Sequence, residues 1–215
     1  MSGLDGARPG AVDVESLLST YRTDAVVQPH DQVRAYAEAT TDALASGFTG
    51  LRVAAEVTQL VRSPEQRDAF ARYEHLIDRY MTSEPFSAMC AYDRSELGSA
   101  AVAETACMHP NATEGAAPFR LHAATDAAAA LGGEVDLLGL DLFVRAAGRV
   151  DLVPDGGEVV LDASELTFID HRGLLALANL ARRLGVTVVL RTSLRTAHRL
   201  VDLLGIQGVR VERPA

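Results

Sequence analysis

The sequence predicts an α/β protein built as two small α/β domains, the second a sheet covered by helices on one face. Three observations carry this. Short apolar runs alternate with amphipathic stretches along the whole 215-residue chain. LTFIDHRGLLALANLARRLGVTVVL, residues 166–190, condenses that pattern into a short strand, an Asp-His-Arg-Gly turn, an apolar helix and a second buried strand. MHPNATEGAAPFR, residues 108–120, breaks the periodicity with Pro, Asn and Gly and marks a linker. The expected organisation is an N-terminal segment 1–27, a first domain 28–110, a linker 111–117 and a second domain 118–215.

Residues 12–21 carry a short helical pattern. From Asp31 onward Val33, Tyr36, Ala37 and Leu44 share a helical face, interrupted by Thr40 and stopped by Gly47. LRVAAEV, residues 51–57, has the composition of a buried strand. Ser63, Pro64 and Gln66 give a hydroxyl N-cap, a proline at the first helical position and a capping-box glutamine. The helix they begin carries Phe70, Tyr73, Ile77 and Tyr80 at helical spacing and places Arg67, Asp68, Arg72, Glu74, Asp78 and Arg79 largely elsewhere. FSAMCAY, residues 86–92, is a second buried strand, and 95–107 a helix.

In the second half strands are expected at 119–123, 128–133, 158–162 and 186–191, with helices at 137–147, 171–184 and 194–204. Leu140, Phe143, Val144 and Ala147 share one helical face; Ala197, Leu200, Val201 and Leu204 share another. These faces are expected to cover one side of a small sheet.

The net charge of −9 opposes nonspecific nucleic-acid binding, so no direct DNA partner is expected. All 20 basic residues are arginine, which excludes a P-loop lysine, a Schiff-base lysine and a Ser-Lys dyad. There is no apolar run of spanning length and no signal-like start, so a cytoplasmic protein without a membrane partner is expected. Cys90 and Cys107 are then reduced thiols. GxSxG, HExxH, CxxC and GxGxxG are all missing from the chain, and no enzyme is expected.

The ordered motifs LGGEVD (131–136), VVLDASELTFIDHRGL (159–174), VTVVLRTS (186–193) and RLVDLLGI (199–206) resemble the STAS domain, the fold of bacterial anti-sigma-factor antagonists. The resemblance spans nearly all of residues 118–213. It implies a STAS-like sheet acting as a regulated binding module that sequesters an anti-sigma, serine-kinase-type partner. In that family a serine follows the Asp of the turn and its phosphorylation breaks the complex. Here the turn is Asp170-His171-Arg172-Gly173, with histidine at the phosphoacceptor position. Asp136 matches a position near the family's partner surface, so the implied partner-binding set is Asp136, Asp170, His171, Arg172 and Gly173. In the first half GLRVAAEVT (50–58), FARYEHLIDRY (70–80), SAMCAYDR (87–94) and MHP (108–110) resemble the later part of a MEDS domain. That is a sensory α/β domain of methanogen and methylotroph regulators, also joined to STAS-like domains in actinobacterial regulators. The resemblance covers residues 30–110, its opening strand and helix are expected to be missing, and it implies a small-molecule signal.

Residue chemistry leaves several roles open. Asp170 is placed to cap the following helix, and His171 then lies where the helix dipole is positive, which disfavours imidazolium and favours anions. His171 serves as a surface contact, as a pH- or phosphate-responsive group, or as a phosphohistidine or base. A nucleotide or similar ligand at that helix start is the alternative to a kinase partner. Asp136 can equally cap a helix beginning at Leu137. Arg172, Arg182, Arg183, Arg191, Arg195 and Arg199 are either solvated charges or a rim that meets an acidic partner. In the first half Arg52, Glu56, Cys90, Tyr92 and His109 are the candidate sensory-ligand residues, with an Arg52–Glu56 ion pair as the alternative. Cys90, Cys107 and His109 offer three ligand atoms to a metal. Their spacing matches no zinc pattern and a buried small hydrophobe accounts for Cys90, so no metal or cofactor is expected.

Overall fold

The computed structural model describes residues 12–14, 16 and 26–214, and the short helix expected at 12–21 lies largely outside them. The first half runs α1 (Pro29–Ala45), β1 (Leu51–Glu56), a 3-10 turn (Thr58–Leu60), α2 (Pro64–Met81), β2 (Phe86–Ala91) and α3 (Arg94–Ala106). β1 and β2 are parallel, with Leu51 opposite Phe86 and Glu56 opposite Ala91. Parallel neighbours need a crossover, and α2 supplies it. Its start is the expected capping box: Ser63 Oγ accepts from the Gln66 amide, and Gln66 Oε1 accepts from the Ser63 amide. Phe70, Tyr73, Ile77, Phe86, Val57, Leu60 and Val61 form the core of this half.

The second half runs β3 (Phe119–His122), β4 (Ala129–Val135), α4 (Leu140–Arg149), β5 (Glu158–Asp162), β6 (Leu166–Ile169), α5 (His171–Leu184), β7 (Thr187–Arg191), α6 (Arg195–Leu204) and β8 (Val209–Glu212). The sheet order is β3-β4-β5-β7-β8, and β6 lies on β4 beyond the point where β5 leaves it. Only β3 is antiparallel to its neighbour. Phe143, Leu174, Leu177, Ala181 and Ala197 of the helices meet Leu131, Val159, Leu161, Val188 and Leu190 of the strands in one core. Phe119 and Phe143 pack edge to face with ring centroids 5.5 Å apart. The opposite face carries charge: Arg210 pairs with Glu158 and Glu212, and Arg120 with Glu165. The mixed α/β architecture of two small units is therefore the one expected.

Several elements differ from expectation for identifiable reasons. β8 was not anticipated; its VRVE sequence is short and half charged, and Arg210 gains its place through the pairs with Glu158 and Glu212. α4 begins at Leu140 rather than 137, because Asp136 Oδ1 accepts from the Gly139 amide and holds the preceding residues in a turn. β1 alternates between half-buried and exposed positions instead of being buried throughout, since it has one neighbour and one covered face. Thr40, read as a break in the apolar stripe of α1, is the buried residue of that helix; its hydroxyl donates to the Tyr36 carbonyl at 2.7 Å, while Leu44 is exposed. α3 is kinked at Gly98, whose φ of 75° few side chains tolerate.

The largest difference concerns α2. Glu74 and Asp78, which the periodicity places largely off the apolar face, are buried, and so is His75. α2 has two covered faces: an apolar one toward β1 and β2, and a polar one on which Glu74 meets Cys90 and His109 while Asp78 and Arg79 meet the second half. The halves meet through backbone and charge. The Leu121 amide donates to the Cys107 carbonyl at 2.7 Å, the Ala123 amide to Asp78 at 2.6 Å, and Arg79 Nη2 to the Asp151 carbonyl at 3.0 Å. Arg149, buried at the end of α4, donates to Asp68 and to Glu104, which also accepts from Arg67 at 3.1 Å.

Candidate functional site

Two sites emerge, one in each half. In the first, α2 presents Glu74 on its second buried face. β2 presents Cys90, and Tyr92 follows two residues later on the same side of the extended chain. His109 arrives just past the end of α3. Cys90 Sγ lies 3.3 Å from Glu74 Oε1, and His109 Nδ1 lies 3.4 Å from Glu74 Oε2. The Tyr92 hydroxyl is 3.0 Å from His109 Nε2. Of the five candidate residues in this half, the structure gathers Cys90, Tyr92 and His109.

Arg52 and Glu56 are elsewhere. Both point to the exposed side of β1, and they do not pair: Arg52 Nε donates to Ser87 Oγ at 3.2 Å, and Glu56 Oε1 accepts from the Thr58 amide at 3.0 Å. Cys107 also stands apart, fully buried with its thiol directed at the Glu104 carbonyl, and burial pushes that thiol up to about 12. The residue the sequence reading did not single out is Glu74. The signal was weak: one acid among the several charges of α2 that lie off its apolar face.

Electrostatically this site favours proton-bearing forms. Burial raises the Glu74 carboxyl above its ordinary range, although His109 opposes the shift. The Cys90 thiol is pushed far up by burial and then by Glu74, and the Tyr92 hydroxyl is raised for the same two reasons in the same order. One helical turn on, Asp78 is raised by burial against the pull of the Ala123 amide and His122. His75 is lowered to about 4, first by burial and then by Arg79. Cys90, Tyr92 and His109 open on a cleft of about 730 Å3, walled also by Met89, Val102 and residues 110–116 of the connecting segment.

The second site is the start of α5. Asp170 Oδ1 accepts from the amides of Arg172 and Gly173, both at 2.9 Å, while its own amide donates to the Val135 carbonyl at 3.1 Å. The capping role expected of Asp170 is therefore present. His171 and Arg172 are exposed. Gly173 is buried: a Cβ there would lie 2.8 Å from Ile169 Cγ1 and 2.9 Å from Val135 Cγ1, so glycine lets α5 rest on β4 and β6. Asp136 is occupied with the Gly139 amide. Beside this helix start runs a groove of about 290 Å3 between α4 and α5, with Leu140, Val144, Leu175 and Leu180 along it and Arg172 and Arg183 at its border.

Residues 3–110 match the MEDS family, described as the methanogen/methylotroph DcmR sensory domain. The chain belongs to the MEDS family. The match takes in most of the segment 1–27 that the sequence reading set apart from its sensory domain. No curated protein matches the chain. The MEDS half contains the Glu74–Cys90–His109 cluster, with Glu74 buried and the other two half-buried, and most of its cleft; the family's sensory character makes the chain a signalling regulator. Among the described residues no helix is long and apolar enough to cross a membrane.

Proposed function

We propose that the chain is a non-enzymatic cytoplasmic regulator whose second half is a STAS-like, anti-sigma-antagonist-like module that binds an anti-sigma, serine-kinase-type protein, with the MEDS half as its sensor. The observation that carries this reading is the exposed His171–Arg172 pair at the capped start of α5, beside the apolar groove between α4 and α5. Leu137, Leu138 and Phe168, at or just past the carboxyl ends of β4 and β6, are exposed as well. Apolar surface bordered by arginine suits a partner face that is apolar with an acidic border. An imidazole is not a substrate for a serine kinase, so the partner cannot release itself by phosphorylating this turn. Control then passes to the MEDS half.

The second reading, a nucleotide or other anion at the start of α5, has one observation against it. Asp170 already takes the amides of Arg172 and Gly173, and its carboxylate repels a second anion there. Affinity capture from lysate with wild type, His171→Ser and Leu175→Glu tests the protein-partner reading. A protein with a kinase fold should be retained by the first two and lost with Leu175→Glu, which puts charge in the groove. Failure of wild type to retain any kinase-like or sigma-related protein overturns it.

A further inference from the structure

We propose that Glu74, Cys90 and His109 form a binding site for a divalent transition metal of zinc type, with its remaining coordination position open to the cleft. Each residue offers one ligand atom, and these atoms all lie within 4.8 Å of one another. Ligands at about 2.0–2.3 Å from a tetrahedral ion stand roughly 3.3–3.8 Å apart. Cys90 Sγ lies 3.3 Å from Glu74 Oε1 and His109 Nδ1 lies 3.4 Å from Oε2, so each donor is at that spacing from one oxygen of the carboxylate, and a ligand set using a single oxygen lies within 4.8 Å. The donors come from three elements, so the fold rather than local chain geometry assembles them.

The chemistry of the set fits the same ion. Thiolate, imidazole and carboxylate together suit zinc-type cations better than magnesium or calcium, which prefer all-oxygen shells. One carboxylate and one thiolate neutralise a dication, which removes the penalty of burying Glu74, only 3% exposed and, among the described residues, without an arginine partner. His109 would coordinate through Nδ1, because Nε2 is engaged with the Tyr92 hydroxyl at 3.0 Å. That contact fixes ring orientation and tautomer, as partners of metal-bound histidines commonly do. Metal entry displaces the Cys90 thiol proton and any proton held by Glu74, and these pass to solvent through the cleft. A bound ion then presents one exchangeable position to a small molecule entering between Met89 and the connecting segment. This site stands apart from the proposed partner surface on α5 and does not depend on it.

Cobalt(II) titration of the chelator-treated, untagged full chain tests the site without any partner protein. The expected result is one equivalent bound, with a near-ultraviolet thiolate-to-cobalt charge-transfer band and visible bands that zinc abolishes by displacement. Cys107→Ala should keep this spectrum. Cys90→Ser should lose the charge-transfer band while its far-ultraviolet circular dichroism stays that of wild type. Tyr92→Phe, which keeps all three ligands, should weaken binding about tenfold. The proposal is overturned if folded wild type takes up no cobalt, or if the charge-transfer band persists in Cys90→Ser. It is equally overturned if His109→Gln, which tests the site should Cys90→Ser not fold, binds cobalt as tightly as wild type.

Discussion

The Asp78 carboxylate accepts the Ala123 amide proton at 2.6 Å, tying helix α2 of the MEDS half to the end of the first strand of the C-terminal sheet. Glu74 lies one turn earlier on the same helix, so one rigid element touches both the buried cluster and the second half. Asp78→Ala should leave the buried Ala123 amide without an acceptor and destabilise the protein by about 1–3 kcal/mol. Asp78→Asn retains an acceptor oxygen and should recover most of that loss. Chemical denaturation measures both, and amide exchange at Ala123 should accelerate in the alanine variant only.

A second tie is the buried Arg149, shared between Asp68 and Glu104. Removing it strands Glu104 with Arg67 alone, and Arg149→Ala should cost about 3 kcal/mol. Arg149→Met, closer in shape, should cost less, because part of the alanine effect is lost packing of the arginine stem.

The pH dependence of this tie has a definite sign. Burial works to raise the Glu104 carboxyl, but hydrogen bonds from Arg149 and Arg67 outweigh it and hold the group below its ordinary 4.5. A depressed folded-state value stabilises the fold above the ordinary carboxyl range, and that contribution disappears as pH falls through the lowered value. Wild type should therefore lose melting temperature more steeply than Glu104→Gln as pH falls below about 4.5. Parallel melting curves for the two proteins from neutral to acid would contradict this.

Gly173→Ala places a methyl group within 3 Å of Ile169 and Val135 side chains. The helix start must shift away from the sheet, and overpacking of this kind destabilises by about 1–3 kcal/mol. Thermal unfolding should register it, with Arg172 displaced from the groove.

Legibility in the sequence followed the strength of the local chemistry. Helix α5 was read at its observed limits because Asp170 caps its start and Gly185, left-handed at φ 69°, ends it. The Ser63 capping box placed the start of α2. What escaped were features decided by contacts distant in the chain. His75 and Asp78 obey the ordinary rule that helix charges face water until a second domain covers that face, and Glu74 is covered by Cys90 and His109 of its own half. Strand β8 needed Glu158, far back in the sequence, to hold Arg210. Cys90 and His109 were noticed as ligand types, but Cys107 was grouped with them on proximity in sequence; the third donor in space is Glu74. At the other site the turn 170–173 was legible in full, though Gly173 turns out to seat the helix and lies buried instead of meeting solvent.

The central claim is that His171 leaves the chain bound to a serine-kinase-type partner that cannot switch it off. Intact-mass analysis of wild type and His171→Ser, each incubated with the captured partner and ATP, tests it most directly. The account predicts one added phosphate on the serine variant with release of the partner, and an unmodified, still-bound wild type. Phosphate on wild type, or a serine variant that stays unmodified in the complex, would contradict it.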